Sequence, residues 1–265
     1  MIAVREGWEL DVMRSSGRKL AEVVERVREA VAIDITTKDI DQLTEAAILA
    51  VGAKPAFKGY KPGKVPFPAS ICISINEQVV HGVPGKRRIR AGDLVSLDFG
   101  LVYGGYYADT AFTMLVPPGD PADQALLDAT REAMFIGIAE ARPGKRIGDI
   151  GFAVEGYVTP RGYGVVTDMV GHGIGRRLHE EPSVPNYGKK NTGPNIVPGM
   201  VIAIEPMITR GRGKIKTLGD GWTVATEDNS RSAHFEHTVA ITPRGPEILT
   251  TLDPAVRSPV SPPIR

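Results

Sequence analysis

Cysteine, long apolar runs and an excess charge of either sign are what this chain has least of. One cysteine, Cys72, stands among 265 residues, so no intrachain disulfide can form and a reducing cytosol is the expected compartment. No stretch approaches the ~20 consecutive apolar residues that a membrane helix needs. The first ten residues mix charges early and lack the apolar segment of a signal peptide. Lys and Arg total 32 against 31 Asp and Glu, a formal net charge of +1, too small a field to draw the chain to nucleic acid or membrane. Low-complexity tracts and repeats with a 20–50-residue period are also absent. What remains is an ordinary globular composition, 42% hydrophobic and 24% charged, long enough for one large domain or two small ones.

Histidine is scarce as well, five in all, yet two fall in residues 169–182, Met-Val-Gly-His-Gly-Ile-Gly-Arg-Arg-Leu-His-Glu-Glu-Pro. Gly171, Gly173 and Gly175 surround His172, and three residues without a Cβ let backbone approach something closely. The run 164–170 reads as a strand leading into this turn, which places His172 at a strand end. His179 follows on the same segment. Either histidine alone has a plain reading as a polar turn residue.

Residues 8–31 predict an amphipathic helix, with Met13, Leu20, Val24, Val27 and Val31 at helical spacing. A second runs from Thr37 as N-cap through Ile40, Leu43 and Ala47 to Gly52 as the residue past its C-cap. The Pro- and Gly-rich loop 54–68 carries Phe57, Tyr60 and Phe67, either a flap over the core or a pocket wall. A short strand, 71–75, precedes a turn, 76–84, that contains His81. The basic run 85–90 reads as a solvated turn, with a ribosome or RNA contact as the alternative.

The runs 94–103 and 106–116 flank Gly104-Gly105, the signature of a two-residue hairpin turn. Tyr103 then pairs with Tyr106, and Gly100 lies opposite Asp109. Asp98, two residues from Gly100, shares that face. The two carboxylates become diagonal neighbours, an arrangement that is costly unless something positive lies between them. Further on, Asp120 caps a helix that has Pro121 at its first position and runs to Arg142. A shorter helix covers 150–158, and 182–198 is expected as loop. Strand 199–206 ends on Glu205, a lone carboxylate at the tip of an apolar run that needs a partner. A basic loop at 210–216, a strand at 221–226 with Trp222, and a strand at 232–242 with Glu236 complete the core. Residues 254–265 are expected as a loose proline-rich extension.

Asp98, Asp109, His172, Glu205 and Glu236 therefore all lie on strands or at their ends. Singly each has a structural explanation. Together they are four carboxylates and one imidazole, which suits two divalent cations at near-neutral total charge. Oxygen-rich ligation with one histidine fits manganese, iron or cobalt, and zinc in a catalytic role, but not a closed thiolate zinc site. Two such ions ~3.5–4 Å apart would lower the pKa of a bound water and polarise a carbonyl.

Five motifs in order carry a resemblance: Ser-Ile-Asn-Glu-x-Val-x-His81-Gly-x-Pro; Leu-Asp98 with Asp109-Thr eleven residues on; Gly-His172-Gly-Ile-Gly with Leu-His179-Glu-x-Pro; Ile-Glu205-Pro; and Phe-Glu236-His-Thr. Over residues 8 to about 250 the chain resembles type I methionine aminopeptidase. The resemblance implies an α+β "pita-bread" fold, a single catalytic domain over 1–253 whose pseudo-symmetric halves, about 1–120 and 121–250, put helices outside a curved antiparallel sheet around a dinuclear metal site. It implies Asp98 as a chelator of one metal, Asp109 and Glu236 as bridges, and His172 and Glu205 on the other metal. His81 would hydrogen-bond the scissile amide, His179 would bind the substrate carbonyl and developing oxyanion, and Glu205 would also handle a proton. Phe57, Tyr60, Phe67, Cys72, Leu178 and Trp222 would line the methionine pocket, where aromatics and a soft sulfur suit a thioether. His234 stands where relatives often have Gln. The zinc-finger-like N-terminal extension and the long type II insertion are missing, as in minimal bacterial forms.

The expected partners are nascent polypeptide N-termini, with the ribosome surface as a further contact, and a monomer in the cytoplasm. Two rival readings are an Xaa-Pro aminopeptidase or prolidase of the same fold and a metal-free binding module. The first usually carries a large N-terminal domain and further histidines; the second has lost ligands that this chain keeps.

Overall fold

Described by the computed structural model are residues 2–253, Ala255 and Val256; the rest of the expected tail lies outside the described residues. Two helices come first, α1 (Trp8–Arg28) and α2 (Thr37–Ala50), then β1 (Lys54–Pro55), β2 (Ile71–Ile75), β3 (Gln78–Val80), β4 (Leu94–Tyr103) and β5 (Tyr106–Leu115). Helices α3 (Pro121–Glu140) and α4 (Ile147–Val158) follow. The chain continues with β6 (Gly164–Val165), β7 (Gly171–Gly173), β8 (Glu180–Val184), β9 (Val201–Ile204), β10 (Met207–Thr209), β11 (Ile215–Thr217), β12 (Val224–Thr226), β13 (Ser232–His234), β14 (Glu236–Thr242) and β15 (Gly245–Ile248).

Nine strands form one antiparallel sheet in the order β1-β4-β5-β14-β9-β7-β8, with β2 also on β4 and β15 also on β14. Two three-stranded sheets, β13-β10-β6 and β11-β12-β3, sit beside it. The hairpin at its centre follows from Gly104 and Gly105, both at positive φ (59° and 81°), a conformation that matches the twist of two-residue hairpins. Register is as the turn demands: Tyr103 opposite Tyr106 and Gly100 opposite Asp109.

Strand alternation then gives the hairpin two chemically different faces. Leu97, Phe99 and Leu101 are fully buried on one face, where Phe99 stacks on Phe112 with ring centroids 6.0 Å apart. Helix α1 packs against β4 and β5, and α3 and α4 pack together over the second half. The opposite face carries Ser96, Asp98 and Gly100 across from Thr113, Ala111 and Asp109.

Several local expectations shift. The N-cap of α2 is Thr36, whose side chain accepts from the Asp39 N–H in a capping box, one residue before Thr37. Ile40 and Ala47 are buried in α2, but Leu43 is 44% exposed, because it faces away from the β-sheet side of the helix. Helix α1 ends at Arg28, leaving Val31 beyond it, and α3 ends at Glu140. Helix α4 begins at Ile147, before the expected 150, where the Asp149 carboxylate accepts from the Arg146 N–H at 2.8 Å. The run 164–170 is not one strand: β6 pairs with β10 in a small sheet while β7 joins the large one, so the chain bends between them. His172 consequently lies inside β7 rather than at a strand's end. The same division breaks 232–242 at Phe235 into β13 and β14. The expected loop 182–198 opens with residues of β8, whose Pro182 is tolerated because β8 is the sheet edge. Short strands also occupy part of the expected turn 76–84 and of the basic loop 210–216, and Trp222 precedes β12.

The glycines around His172 serve chain packing. A Cβ at Gly171 would overlap the Ala203 carbonyl, and one at Gly173 the Glu181 carbonyl. Gly173→Ala should therefore cost about 1–3 kcal/mol in denaturant unfolding, whereas Gly156→Ala, in helix α4 with nothing within 4 Å of the new methyl, should raise stability by up to about 1 kcal/mol. Equal effects at both sites would remove the packing argument.

Candidate active site and metal centre

Ala111 is the geometric centre of the acidic face. It pairs with Asp98 of β4 on one side and with Glu236 of β14 on the other. Asp109, two residues before it, shares its face. The β9–β14 ladder pairs His237 with Ile204, and one further step puts Glu205 across from Glu236. His172 comes in from β7, which pairs with β9 through Gly173 and Ile202. Residues scattered over 139 positions (98 to 236) thus meet on one face of a single sheet.

Ligand atoms of Asp109, His172 and Glu236 all lie within 4.8 Å of one another. Asp98 Oδ1, Asp109 Oδ1 and Glu236 Oε1 are buried without a hydrogen-bond partner, a costly condition for carboxylate oxygens. His172 Nδ1–H donates to the Gly173 carbonyl at 2.9 Å, so its Nε2 carries a lone pair. That lone pair faces Glu205 Oε1 at 3.5 Å. Two electron-rich atoms at this distance, beside three orphaned oxygens, fit a divalent cation.

Electrostatics point the same way. Burial, opposed in part by hydrogen bonds from Asp109 and Cys72, pushes the Asp98 carboxyl up to about 7. Burial, then the neighbouring carboxylates, drives Asp109, Glu205 and Glu236 well above the usual carboxylate range. The histidines move down: His172 to about 3 and His81 to about 4, through burial first and the nearby His179 second. Burial lowers His179 too. Burial favours neutral imidazoles, able to act as ligands or hydrogen-bond partners, and makes ionised carboxylates costly unless a cation compensates them.

The acidic face forms the floor of a cavity of about 270 Å³. All thirteen residues singled out from sequence line it: Phe57, Tyr60, Phe67, Cys72, His81, Asp98, Asp109, His172, Leu178, His179, Glu205, Trp222 and Glu236. The loop 54–68 is therefore a pocket wall. Phe67 stands edge-on to Trp222 (centroids 5.2 Å) and to Phe57 (6.5 Å). Gly100 makes room for Phe57, whose ring a Cβ there would strike. Cys72 pairs with Asp98 across β2 and β4; burial and that carboxylate push its thiol up, so it stays protonated. Tyr60 Oη lies 2.6 Å from His179 Nδ1, and the His179 ring is 4.3 Å from that of His172. His81 has φ of 57°, a left-handed backbone that non-glycine residues adopt at a cost of about 1–2 kcal/mol.

The sequence reading missed Pro62, Val80, Met169, Val170 and Met207 in the lining. Of these, Met207 carried a signal, since it stands two residues after Glu205. A larger groove of about 900 Å³ between α1, α3 and β5 contains none of the five acidic and imidazole groups, so size does not mark the reactive site.

Comparison with known proteins settles the lineage. Metallopeptidase family M24 matches residues 11–243. The chain belongs to metallopeptidase family M24. Methionine aminopeptidase 1 of Bacillus subtilis is 45% identical over 250 residues, 94% of this chain and 99% of the relative. A methionine aminopeptidase structure from Thermotoga maritima aligns with a TM-score of 0.91 at 40% identity, covering 95% of this chain and 100% of that one. Prolidase from Pyrococcus furiosus reaches 0.76 at 23% identity over 94% of this chain and 66% of its own, a likeness of fold alone. The M24 chain thus has the expected pita-bread fold and the type I methionine aminopeptidases as its relatives. Among the described residues no helix is long and apolar enough to cross a membrane.

Because burial raises these carboxyls, metal uptake should release protons from them. Apparent Mn(II) affinity should fall as pH drops from 8 to 6, by about tenfold per pH unit for each proton displaced. Calorimetry in buffers of different ionisation enthalpy reads the proton count; no proton release at pH 7 would contradict the raised carboxyl values.

Proposed function

We propose that this chain is a methionine aminopeptidase that removes the initiator methionine from nascent polypeptides with a small second residue, using two divalent metal ions. One observation carries the reading: a single cavity joins an orphaned acidic floor to an aromatic, sulfur-bearing wall. An acidic floor suits cations and a free amino terminus; an apolar wall suits an unbranched thioether.

In this reading Asp98, Asp109, His172, Glu205 and Glu236 would hold the ions, with Asp109 and Glu236 the residues that would serve both. Bound divalent ions would supply Lewis acidity, lowering the pKa of a water and polarising a carbonyl. The chain's own residues do the rest. The Gly173 carbonyl fixes His172 in the tautomer whose Nε2 is free to ligate. Burial raises the Tyr60 hydroxyl's pKa, so it keeps its proton and donates to His179 Nδ1. The neutral His179 ring then carries its own proton on Nε2 and presents that N–H to the substrate carbonyl and its developing negative charge. His81, neutral and next to Trp222, steadies the scissile amide. Glu205, with a raised pKa, is suited to pass a proton to the leaving amine. Phe57, Tyr60, Phe67, Cys72, Leu178 and Trp222 grip the methionine side chain and exclude water.

We read residues 1–253 as one catalytic unit acting as a monomer in the cytoplasm on nascent chains, with the basic 85–90 segment as a ribosome-facing surface. The metal is cobalt, manganese, iron or zinc.

Peptides test this directly: Met-Ala-initiated substrates should be cut, Met-Leu poorly and Ala-Pro not at all. Cleavage of Ala-Pro in preference to Met-Ala would favour the prolidase alternative. Glu236→Ala should abolish cleavage and lower metal content while the circular dichroism spectrum stays folded. His179→Ala should keep its metal and lose about 10²–10³-fold in kcat; unchanged turnover would remove His179 from the mechanism.

A further inference from the structure

His234 is 2% exposed, and neither of its ring nitrogens has a hydrogen-bond partner. A buried imidazole has one donor and one acceptor to satisfy, and leaving both open is costly. Its backbone is riveted in place. Thr113 Oγ1 accepts from the His234 N–H and donates to the His234 carbonyl, each at 2.8 Å, and is itself 2.8 Å from Ser96 Oγ. The β10–β13 register sets His234 opposite Met207, two residues beyond Glu205. The ring consequently points its Nε2 at Glu205 Oε2, 3.8 Å away.

Glu205 is thus flanked by two imidazole nitrogens that differ in kind. On one side, His172 Nε2 must be a lone pair because its Nδ1–H is committed to Gly173, and it faces Oε1 at 3.5 Å. A cation is what that side lacks. On the other side nothing commits His234 Nδ1 as donor, so Nε2 is free to carry the proton. We propose that His234 is a positioning residue: its Nε2–H, 3.8 Å from Glu205 Oε2, closes on that oxygen when Oε1 engages a cation on the His172 side, holding the carboxylate so that Oε1 alone is offered there. This rests on the metal-site reading above. A ligating carboxylate whose second oxygen is held by a donor is pre-aimed, and loss of such outer partners typically weakens metal affinity 10–100-fold.

Titration of Mn(II) into metal-free full-length protein, followed by calorimetry, tests the assignment with His234→Leu and His234→Gln. The Leu side chain fills space without a donor; the Gln amide restores an N–H at similar reach. Expected are a loss of about tenfold or more in affinity for the Leu variant, recovery of most of it with Gln, and a parallel fall and recovery in kcat/KM. The metal-free Leu variant should melt no lower than the parent, since the substitution removes two orphaned polar atoms. Parental Mn(II) affinity in the Leu variant would overturn the proposal. So would a Gln variant as impaired as Leu, or a metal-free Leu variant that melts markedly lower, which would make the ring a packing element. Parent protein that takes up no Mn(II) would instead defeat the underlying metal reading.

Discussion

Four carboxylates buried in one bowl cannot all be ionised without a positive partner, and the rest of the molecule is built around that constraint. Burial raises all four, and for Asp109, Glu205 and Glu236 the neighbouring carboxylates raise the pKa further. Unpartnered oxygens on Asp98, Asp109 and Glu236 mean that the fold has not neutralised them with its own Lys or Arg. A protein able to supply 32 cationic side chains places none among the residues lining this cavity. The missing positive charge has to come from outside, which distinguishes the bowl from an ion-pair network and suits it to a divalent cation.

Holding such a cluster together requires a scaffold that does not relax away from the repulsion. The nine-stranded sheet provides it by alternation. Each strand that presents an acid to the bowl buries apolar side chains on its other face: Leu97, Phe99 and Leu101 lie behind Asp98 and Gly100. Turning an acid out toward solvent would require rotating a strand and exposing that core, at roughly 25 cal/mol per Å² of apolar surface. Hydroxyls add cross-links between strands, as where Thr238 Oγ1 accepts from the Asp109 N–H at 3.0 Å and donates to its carbonyl at 2.7 Å.

The loop that carries Leu178 and His179 is fixed from outside the sheet. Arg5 Nη2 meets Glu180 Oε2 at 2.6 Å in a largely buried pair, and Gly175 leaves room for the guanidinium. The N-terminal segment thereby anchors the residue next to His179, while Tyr60 holds the ring from the pocket side. Two independent tethers thus fix the position of His179 at the cavity wall.

Local chemistry made part of this legible from the chain alone. Gly104-Gly105 dictated the hairpin and its register, and with them the shared face of Asp98 and Asp109, because backbone handedness and a period of two leave no other pairing. Asp120-Pro121 marked the start of α3 for equally local reasons. Motif resemblance assembled the thirteen site residues, but strand alternation by itself could not have joined β7, β9 and β14 to that hairpin. Where a sequence run looked continuous, the tertiary structure broke it: only Gly164–Val165 of 164–170 is strand, and 232–242 is split between two sheets, since one straight strand cannot hydrogen-bond into both. Glycine content around His172 was plain; that the close approach is to Ala203 and Glu181 backbone was not. The sequence by itself determined which groups carry charge, which turns are tight and which faces are apolar, all consequences of covalent structure within a few residues. Only the tertiary structure decided that Glu205 would stand between His172 and His234, because that neighbourhood is set by long-range pairing among strands whose partners no local signal names.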